Sequence, residues 1–470
     1  MAHCKLTVHT QTLGNPVDPM RLLQVLAVER GDIAMLHSGN HGNAVLAVKP
    51  IGGVVLHAHN GQISVRANGI AANAHGSHEF IGSSVMAWQR WQEILSGICF
   101  SRPTPELVGW LGWISYQAGV MTELPRLYHV GQADIPLAHW QLFERYFLFN
   151  AAAQQWQLVV VQAKPQTHCD VIADMQMQIH MAERVVLPND GPAAKSTLLQ
   201  RPDADVFKQA VRRCREFIAA GDIYQANISA LWKAHVAEPA YRIFNRLAKS
   251  NPAQFAACMR YGEHEMICAS PELFLQRRGT RLETRPIKGT RPRNLFDALA
   301  DQNRCNDLLN SEKDRAELAM IVDLLRNDLG RVCTQVRVEK IREIEKLPTL
   351  WHTHAIVAGE LQPHMSNRWG DIIAATCPGG SITGVPKIRA MEIIHELELQ
   401  SRGIYCGNIG WIGPDGSGAL NIAIRTIHVV DGIAEIRSGA GITADSDPDE
   451  EYAEILAKAA ALLQAVVDVP

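Results

Sequence analysis

The pattern of apolar and polar positions changes character partway along the chain. Between residues 40 and 165 it is dominated by short strand-like runs, AVLAVKPIGGVVLHAHNGQISVRA and YFLFNAAAQQWQLVVVQA among them, broken by Gly and Asn-Gly turns. That half is expected to be sheet-rich. Residues 188–204 lapse into Pro, Gly, Asp and Ser, which predicts a linker between an N-terminal region, 1–187, and a second domain, 205–470. A helix opens there, with Asp203 as N-cap, Phe207, Val211, Cys214 and Ile218 at helical spacing, and Gly221 past its end. Strands then alternate with helices, including SEKDRAELAMIVDLLRNDLG, PKIRAMEIIHELE and PDEEYAEILAKAAALLQAVV. The segment ALNIAIRTIHVVDGIAEIRSGAGI predicts two strands across an Asp-Gly turn, the first with Asn421, Ala423 and Arg425 on one face.

Composition narrows the partners. With 45 basic and 48 acidic side chains in 470 residues, the net charge of −3 creates no large field of one sign, which speaks against nucleic acid and for a small molecule. The ten cysteines are scattered without a CxxC pair, so they are expected to be reduced, in a cytoplasmic protein. The opening MAHCKLTVHTQTLGNPVDP lacks a signal pattern, and no apolar stretch has the length of a membrane span.

Several segments hold candidate chemistry. In CPGGSITGVPKIRAMEII, glycines precede a helix whose N-terminus could hold an anion; a ligand-free turn is the alternative. Val385 and Pro386 separate Gly384 from Lys387, so this is not a Walker loop. Glu317 and Glu454 each border the apolar stripe of a helix, where carboxylates could hold Mg²⁺ or simply pair with Arg315 or Lys458. Gln225 and Asn227 share one face of a short strand, opposite Tyr224, Ala226 and Ile228. Arg425 could grip a carboxylate, with backbone donors in RSGAGI. His352 and His354 alternate with apolar residues, and without a clear third ligand they read as structural or acid–base groups. In TRPIKGTRPR, Lys288 is confined between Pro286 and Gly289; Glu272 in SPELF lies sixteen residues upstream. A desolvated lysine can act as a neutral nucleophile, and a buried Lys–Glu ion pair is the bland alternative.

Taken in order, GDIYQANIS, SPELF, TRPIKGTRPR, KDRAELAMIVDLLRND, PGGSITGVPK, YCGNIGWI, IAIRT and SGAGITADSDPDEEYAEILAKA resemble the chorismate-using enzymes, the family of anthranilate synthase component I. The resemblance covers about residues 205–465; HSGNHGNAVLAVKP and WLGWISYQAG look like the family's more variable N-terminal region. It implies an α/β fold in which two facing, largely antiparallel sheets form a sandwich with helices outside. It also implies that Lys288 attacks ring carbon C2 of chorismate while Glu272, as general acid, helps the C4 hydroxyl leave. Ammonia then adds at C4 and expels the lysine. Glu317 and Glu454 match the family's Mg²⁺ ligands. Tyr405, Arg425, the backbone of Gly439, Ala440 and Gly441, and Lys458 match positions near the substrate carboxylates. Gly380, Ser381 and Thr383 match the loop that shapes the site, Thr290 and Gln225 fall among the matched substrate-binding positions, and His352 matches a histidine beside the leaving hydroxyl.

Two positions separate the branches of that family. Members that add water carry a lysine base where this chain has Gln225, which points to ammonia; anthranilate-forming members typically read PIAGT where this chain reads PIKGT, so Lys288 points to amination at C4, in the folate branch. No glutaminase nucleophile elbow is present, so ammonia is expected from a separate glutamine amidotransferase subunit, and elimination of pyruvate is left to another enzyme. An anthranilate-forming component that carries a lysine, and a non-catalytic relative that binds chorismate or tryptophan, are the alternatives. Ser38 in HSGN matches only part of the tryptophan site that some relatives carry, which leaves tryptophan open.

Overall fold

A long strand that bends can serve two sheets, and Ala44–His59 is such a strand. Its first residues, 44–48, pair with Ile33–His37 and with the end of Ala138–Asn150. At Lys49, which has φ +60, and Pro50 the strand bends and shifts register, so that residues 53–56 pair with Gln62–Asn68 and with the start of Ala138–Asn150. Proline donates no ladder hydrogen bond, and a bulge redirects a strand. The computed structural model describes residues 4–29, 31–39, 42–59, 62–75, 79–127, 135–163, 168–187, 196–347, 350–365 and 368–467.

Two sheets spread from this bent pair. The first passes from Cys4–Leu13 and Gln155–Gln162 through Ile33–His37, Phe255–Tyr261, His264–Ser270, Thr426–Val430 and Ile433–Ile442 to Gln225–His235. The second runs through Trp110–Ile114, Asn408–Ile412, Gly418–Asn421, Leu273–Arg278 and Arg281–Arg285 to Leu350–Leu361 and Cys333–Lys346. Among the described residues every pairing is antiparallel except that of Cys4–Leu6 with Ile98–Phe100.

Alternation of side chains assigns the two faces of the first sheet. Val45, Ala47, Met259 and Met266 meet Val54, Leu56, Leu275 and Leu420 of the second sheet in one buried cluster. Met35, Leu46, Val48 and Ile228 point the other way, into a second cluster closed by Leu22, Met175, Val211, Phe244, Ile393 and Ile455 from six helices. On the second sheet, Leu318 and Val322 of the helix Glu312–Gly330 cover Ala355 and Val357. The expected sandwich with helices outside is therefore the observed architecture.

Asp203 caps the helix Ala204–Ala219 as expected, accepting from the N–H groups of Asp205 and Val206. Residues 188–195 of the expected linker lie outside the described residues, and Thr197–Gln200 pairs with Lys233–His235. Strands from both sides of this segment share each sheet. The N-terminal half also holds helices, among them Pro19–Val28 ahead of the strand-like runs and Ser84–Ser96 within them. In the latter, Ala87, Trp88, Trp91, Ile94 and Leu95 are buried at helical spacing behind the N-cap Ser83.

Trp91, fully buried, meets Trp88 and Trp140 edge-on at ring separations of 5.6 and 5.7 Å. Trp91→Ala leaves a cavity there and is expected to destabilise the fold by about 3–5 kcal/mol, seen as a lowered urea midpoint.

Candidate active site

Two short segments carry the chain from one sheet to the other, and they are tied together. Ser270 ends a strand of the first sheet and Leu273 begins one of the second, with Pro271 and Glu272 between them. Asn421 ends a strand of the second sheet and Thr426 begins one of the first, with residues 422–425 between them. The Ile422 N–H donates to the Glu272 carbonyl at 3.0 Å, the Ser270 hydroxyl to the Ile422 carbonyl at 2.6 Å, and the Ala269 N–H to the Arg425 carbonyl at 3.0 Å. The continuous strand expected across Arg425 is thus interrupted, because the chain changes sheets there. Arg425 adopts φ +50 and directs its guanidinium to Asn251 Oδ1 at 3.0 Å. No carboxylate accompanies it among the described residues, and burial lowers its pKa.

The first crossing leaves Glu272 only 5% exposed. Burial raises the pKa of its carboxyl, against the opposing pull of the Ser381 side chain, Lys288, the Ile287 N–H and His352. Lys288 reaches the same place from a bulge. Ile287–Pro292 pairs with Leu350–Leu361 such that Lys288 faces Thr353 and Thr290 faces His352, leaving Gly289 as the extra residue at φ +79. A Cβ on Gly289 would lie 2.8 Å from Leu308 Cδ1 and 2.9 Å from Asp314 Cγ, so the turn demands glycine twice over. The Thr353 hydroxyl donates to the Lys288 carbonyl, and the half-buried Lys288 Nζ donates to the Ser381 carbonyl at 3.4 Å. Ser381 therefore touches both groups, Glu272 through its hydroxyl and Lys288 through its backbone. Thr290, past the bulge, is exposed and does not join them.

The glycine-rich loop is braced from within. The Thr383 hydroxyl donates to the carbonyls of Gly379 and Gly380 at 3.0 and 3.3 Å, while the Thr383 carbonyl accepts the Asn227 N–H at 2.8 Å. Thr383 consequently shapes the loop, and its hydroxyl proton is already committed. A Cβ on Gly380 would lie 2.6 Å from Leu324 Cδ2. Behind the loop, Lys387 Nζ pairs with Asp328 Oδ2 at 2.6 Å in a buried ion pair.

Gln225 and Asn227 turn inward from the strand Gln225–His235, while Ala226 and Ile228 enter the core. Across the ladder, Asn227 faces Gly441, Ile228 faces Ala440 and Ser229 faces Gly439. The missing side chains leave room: a Cβ on Gly441 would lie 2.4 Å from Gln225 Nε2, and one on Gly439 2.7 Å from the Tyr405 hydroxyl oxygen. Tyr405 hydrogen-bonds the Asn227 side chain, and burial raises its pKa. Gln225 Oε1 and Asn227 Nδ2 are buried without a hydrogen-bond partner, an arrangement that costs about 1–3 kcal/mol per group until a ligand supplies one.

Beyond this face lie three carboxylates from two helices, Glu312–Gly330 and Pro448–Val466. Burial raises the pKa of Glu317, and the nearby charge of Glu454 pushes it the same way while Lys288 and Lys313 oppose. Glu451 behaves likewise, raised by burial and by Glu454, with its Oε1 accepting from the Ser446 hydroxyl at 2.6 Å. Lys458 Nζ bridges Glu454 Oε1 at 2.5 Å and the Gly439 carbonyl at 3.1 Å. The side chain of Glu454 is 49% exposed, whereas Glu451 is 5% exposed. Sequence reasoning named Glu454 and missed Glu451, although a residue three positions earlier on a helix lies on the same face. Three lysines, Lys288, Lys313 and Lys458, lie near enough to oppose these charges.

His352 is buried, with Nε2 2.8 Å from Glu345 Oε2. It borders a cavity of about 300 Å³ lined by Gln254, Phe255, Pro271, Leu273 and His354. It also borders a cavity of about 30 Å³ beside Ser38, Pro252 and Ala253.

The sandwich, with a lysine and a buried carboxyl sharing a glycine-loop serine beside a carboxylate cluster, belongs to a sequence family. Residues 55–464 match the family described as chorismate binding enzyme, and the chain is a member of it. It is 35% identical over 407 residues to aminodeoxychorismate synthase component 1 of Bacillus subtilis (strain 168), covering 85% of this chain and 86% of that one. It is 36% identical over 391 residues to an anthranilate synthase component 1 of Haloarcula marismortui, covering 80% and 78%. Among solved structures it resembles anthranilate synthase component I from Streptococcus pneumoniae TIGR4, with TM-score 0.73 and 28% identity over 89% of this chain and 92% of that one. Among the described residues no helix is long and apolar enough to cross a membrane.

Gly439→Ala sets a methyl group against the Tyr405 hydroxyl and 2.9 Å from the Ile228 carbonyl. It is expected to weaken chorismate binding by roughly tenfold or more, about 1.4 kcal/mol, with the circular dichroism spectrum retained; isothermal titration reads the affinity.

Proposed function

We propose that the protein acts as aminodeoxychorismate synthase component I, converting chorismate and ammonia to 4-amino-4-deoxychorismate. The observation that carries this reading is the lysine amine on the Ser381 carbonyl, beside the buried carboxyl to which the same serine is bonded. Lys288 attacks C2 of chorismate, both conjugated ring double bonds shift, and the C4–O bond breaks as Glu272 gives its proton to the departing hydroxyl, which leaves as water. Ammonia then bonds to C4, both double bonds shift back, and Lys288 is expelled from C2. A proton lost by the incoming nitrogen restores Glu272.

Burial favours the protonated form of Glu272 that the first step requires. Arg425, Tyr405, Lys458 and the backbone of Gly439–Gly441 are read as the receivers of the substrate's carboxylates, and Gln225 and Asn227 as polar groups that the substrate or ammonia completes. Thr290 enters this reading only by its place in the motif. His352 would orient the leaving hydroxyl. Glu317 and Glu454, joined by Glu451, would hold Mg²⁺, whose chemistry is to neutralise a ring carboxylate.

Ammonia would come from a separate glutamine amidotransferase subunit in the cytoplasm, consistent with free thiols at all ten cysteines. The second reading, an anthranilate-forming component, has the Haloarcula relative at similar identity in its favour. Incubation with chorismate, Mg²⁺ and an ammonium salt separates the two: the expected product retains the enolpyruvyl group, and release of anthranilate and pyruvate would overturn the proposal.

With ammonia withheld, a covalent adduct of the dehydrated chorismate skeleton is expected on Lys288 by intact mass, and none on Lys288→Ala. Its rate of formation is expected to fall as pH rises through the raised pKa of Glu272. The Ser381 hydrogen bond stabilises the ionised carboxyl, so Ser381→Ala raises that pKa further. The alkaline limb of the pH profile should then move to higher pH; a limb that moved lower would remove Glu272 as the acid.

A further inference from the structure

We propose that Glu345, His352 and His354 form a second metal site, for a transition ion of the zinc class and distinct from the carboxylate cluster. The strands create it. His352 and His354 lie two residues apart on Leu350–Leu361 and so share a face, opposite that of Thr353, Ala355 and Val357. On the neighbouring strand, Glu345 stands across from His352 and Glu343 across from His354. Two imidazoles and two carboxylates thus occupy adjacent positions of one ladder.

Their atoms nearly have the spacing of a coordination shell. One ligand atom from each of Glu345, His352 and His354 lies within 4.8 Å of the others. Glu345 Oε2 is 2.8 Å from His352 Nε2 and 3.8 Å from His354 Nδ1. Ligands about 2.0–2.1 Å from a tetrahedral ion stand about 3.3 Å apart, between those two values, so modest side-chain shifts suffice. His354 supplies the independent sign: its Nδ1 is buried and has no hydrogen-bond partner, while its Nε2 lies 3.3 Å from Glu343 Oε2. A carboxylate on one ring nitrogen that fixes the other as ligand is the usual support of a metal-bound histidine.

The cavity of about 300 Å³ in front of both rings admits an ion and leaves space for a water as fourth ligand. Arg285, the guanidinium whose charge reaches His354, is itself held by Glu283 Oε1 at 2.9 and 2.6 Å. Two imidazole nitrogens favour zinc, cobalt, nickel or copper over Mg²⁺, which prefers oxygen. Because His352 also borders the candidate active site, an ion held here would draw that imidazole away from it. This consequence rests on the proposed function; the binding does not.

Cobalt(II) is the probe, added to the metal-free full chain in the presence of excess Mg²⁺ to fill the carboxylate cluster. The expected result is one equivalent of Co²⁺ with visible absorption of tetrahedral intensity, retained in Glu317→Gln, displaced by Zn²⁺, and lost in both His354→Val and Glu345→Gln. Absence of that absorption, or its persistence in either of the last two variants with circular dichroism unchanged, overturns the site. Neither outcome depends on which product the enzyme makes from chorismate.

Discussion

The site depends on two strands that leave one sheet for the other at the same place. Each departure strips a segment of its ladder partners, and each segment supplies what the other lost: the Ile422 N–H to the Glu272 carbonyl, the Ser270 hydroxyl to the Ile422 carbonyl, the Ala269 N–H to the Arg425 carbonyl. Buried backbone groups have to be paired, so these two crossings hold each other in position. Around them a carboxyl, a guanidinium and the glycine loop come together in the sandwich, where no single secondary-structure element could have placed all three.

Burial at that junction does electrostatic work that a surface could not. Glu272 is held toward its protonated form by loss of solvent, although Lys288 and Ser381 both pull the other way. The charge of Glu454 opposes ionisation of both Glu317 and Glu451, Arg425 has an amide oxygen rather than a carboxylate as its partner among the described residues, and Gln225 and Asn227 keep buried polar atoms unpaired. Each of these is locally unfavourable, and folding tolerates them because the large cores on both sides of the first sheet outweigh a few kcal/mol. Unsatisfied groups collected on one surface are the mark of a place prepared for a charged ligand.

Much of this was legible in the chain. The glycines at 289, 380, 384, 439 and 441 mark points where backbone or side chains approach too closely for a Cβ, and their motifs sufficed for the family and the sandwich. Legibility failed where a local pattern had two readings. The run through Arg425 alternates like a strand, yet is broken, because alternation cannot report a change of sheet. Glu451 went unnamed beside Glu454, because depth of burial on a helix depends on what packs against it. Two histidines appeared to lack a third ligand, because Glu345 belongs to a neighbouring strand whose register with Leu350–Leu361 shifts at several points.

The sequence by itself determined the elements, the need for glycine at the close approaches, and the chemical kinds of the groups available, since these depend on local sterics and on the intrinsic properties of side chains. The tertiary structure alone decided which of those groups come together: Lys288 with Glu272 across one serine, Glu451 and Glu317 each within reach of the charge of Glu454, Glu345 with His352 and His354. Proximity and desolvation arise between segments distant in the chain, and they, more than residue identity, set the protonation and partners from which the chemistry follows.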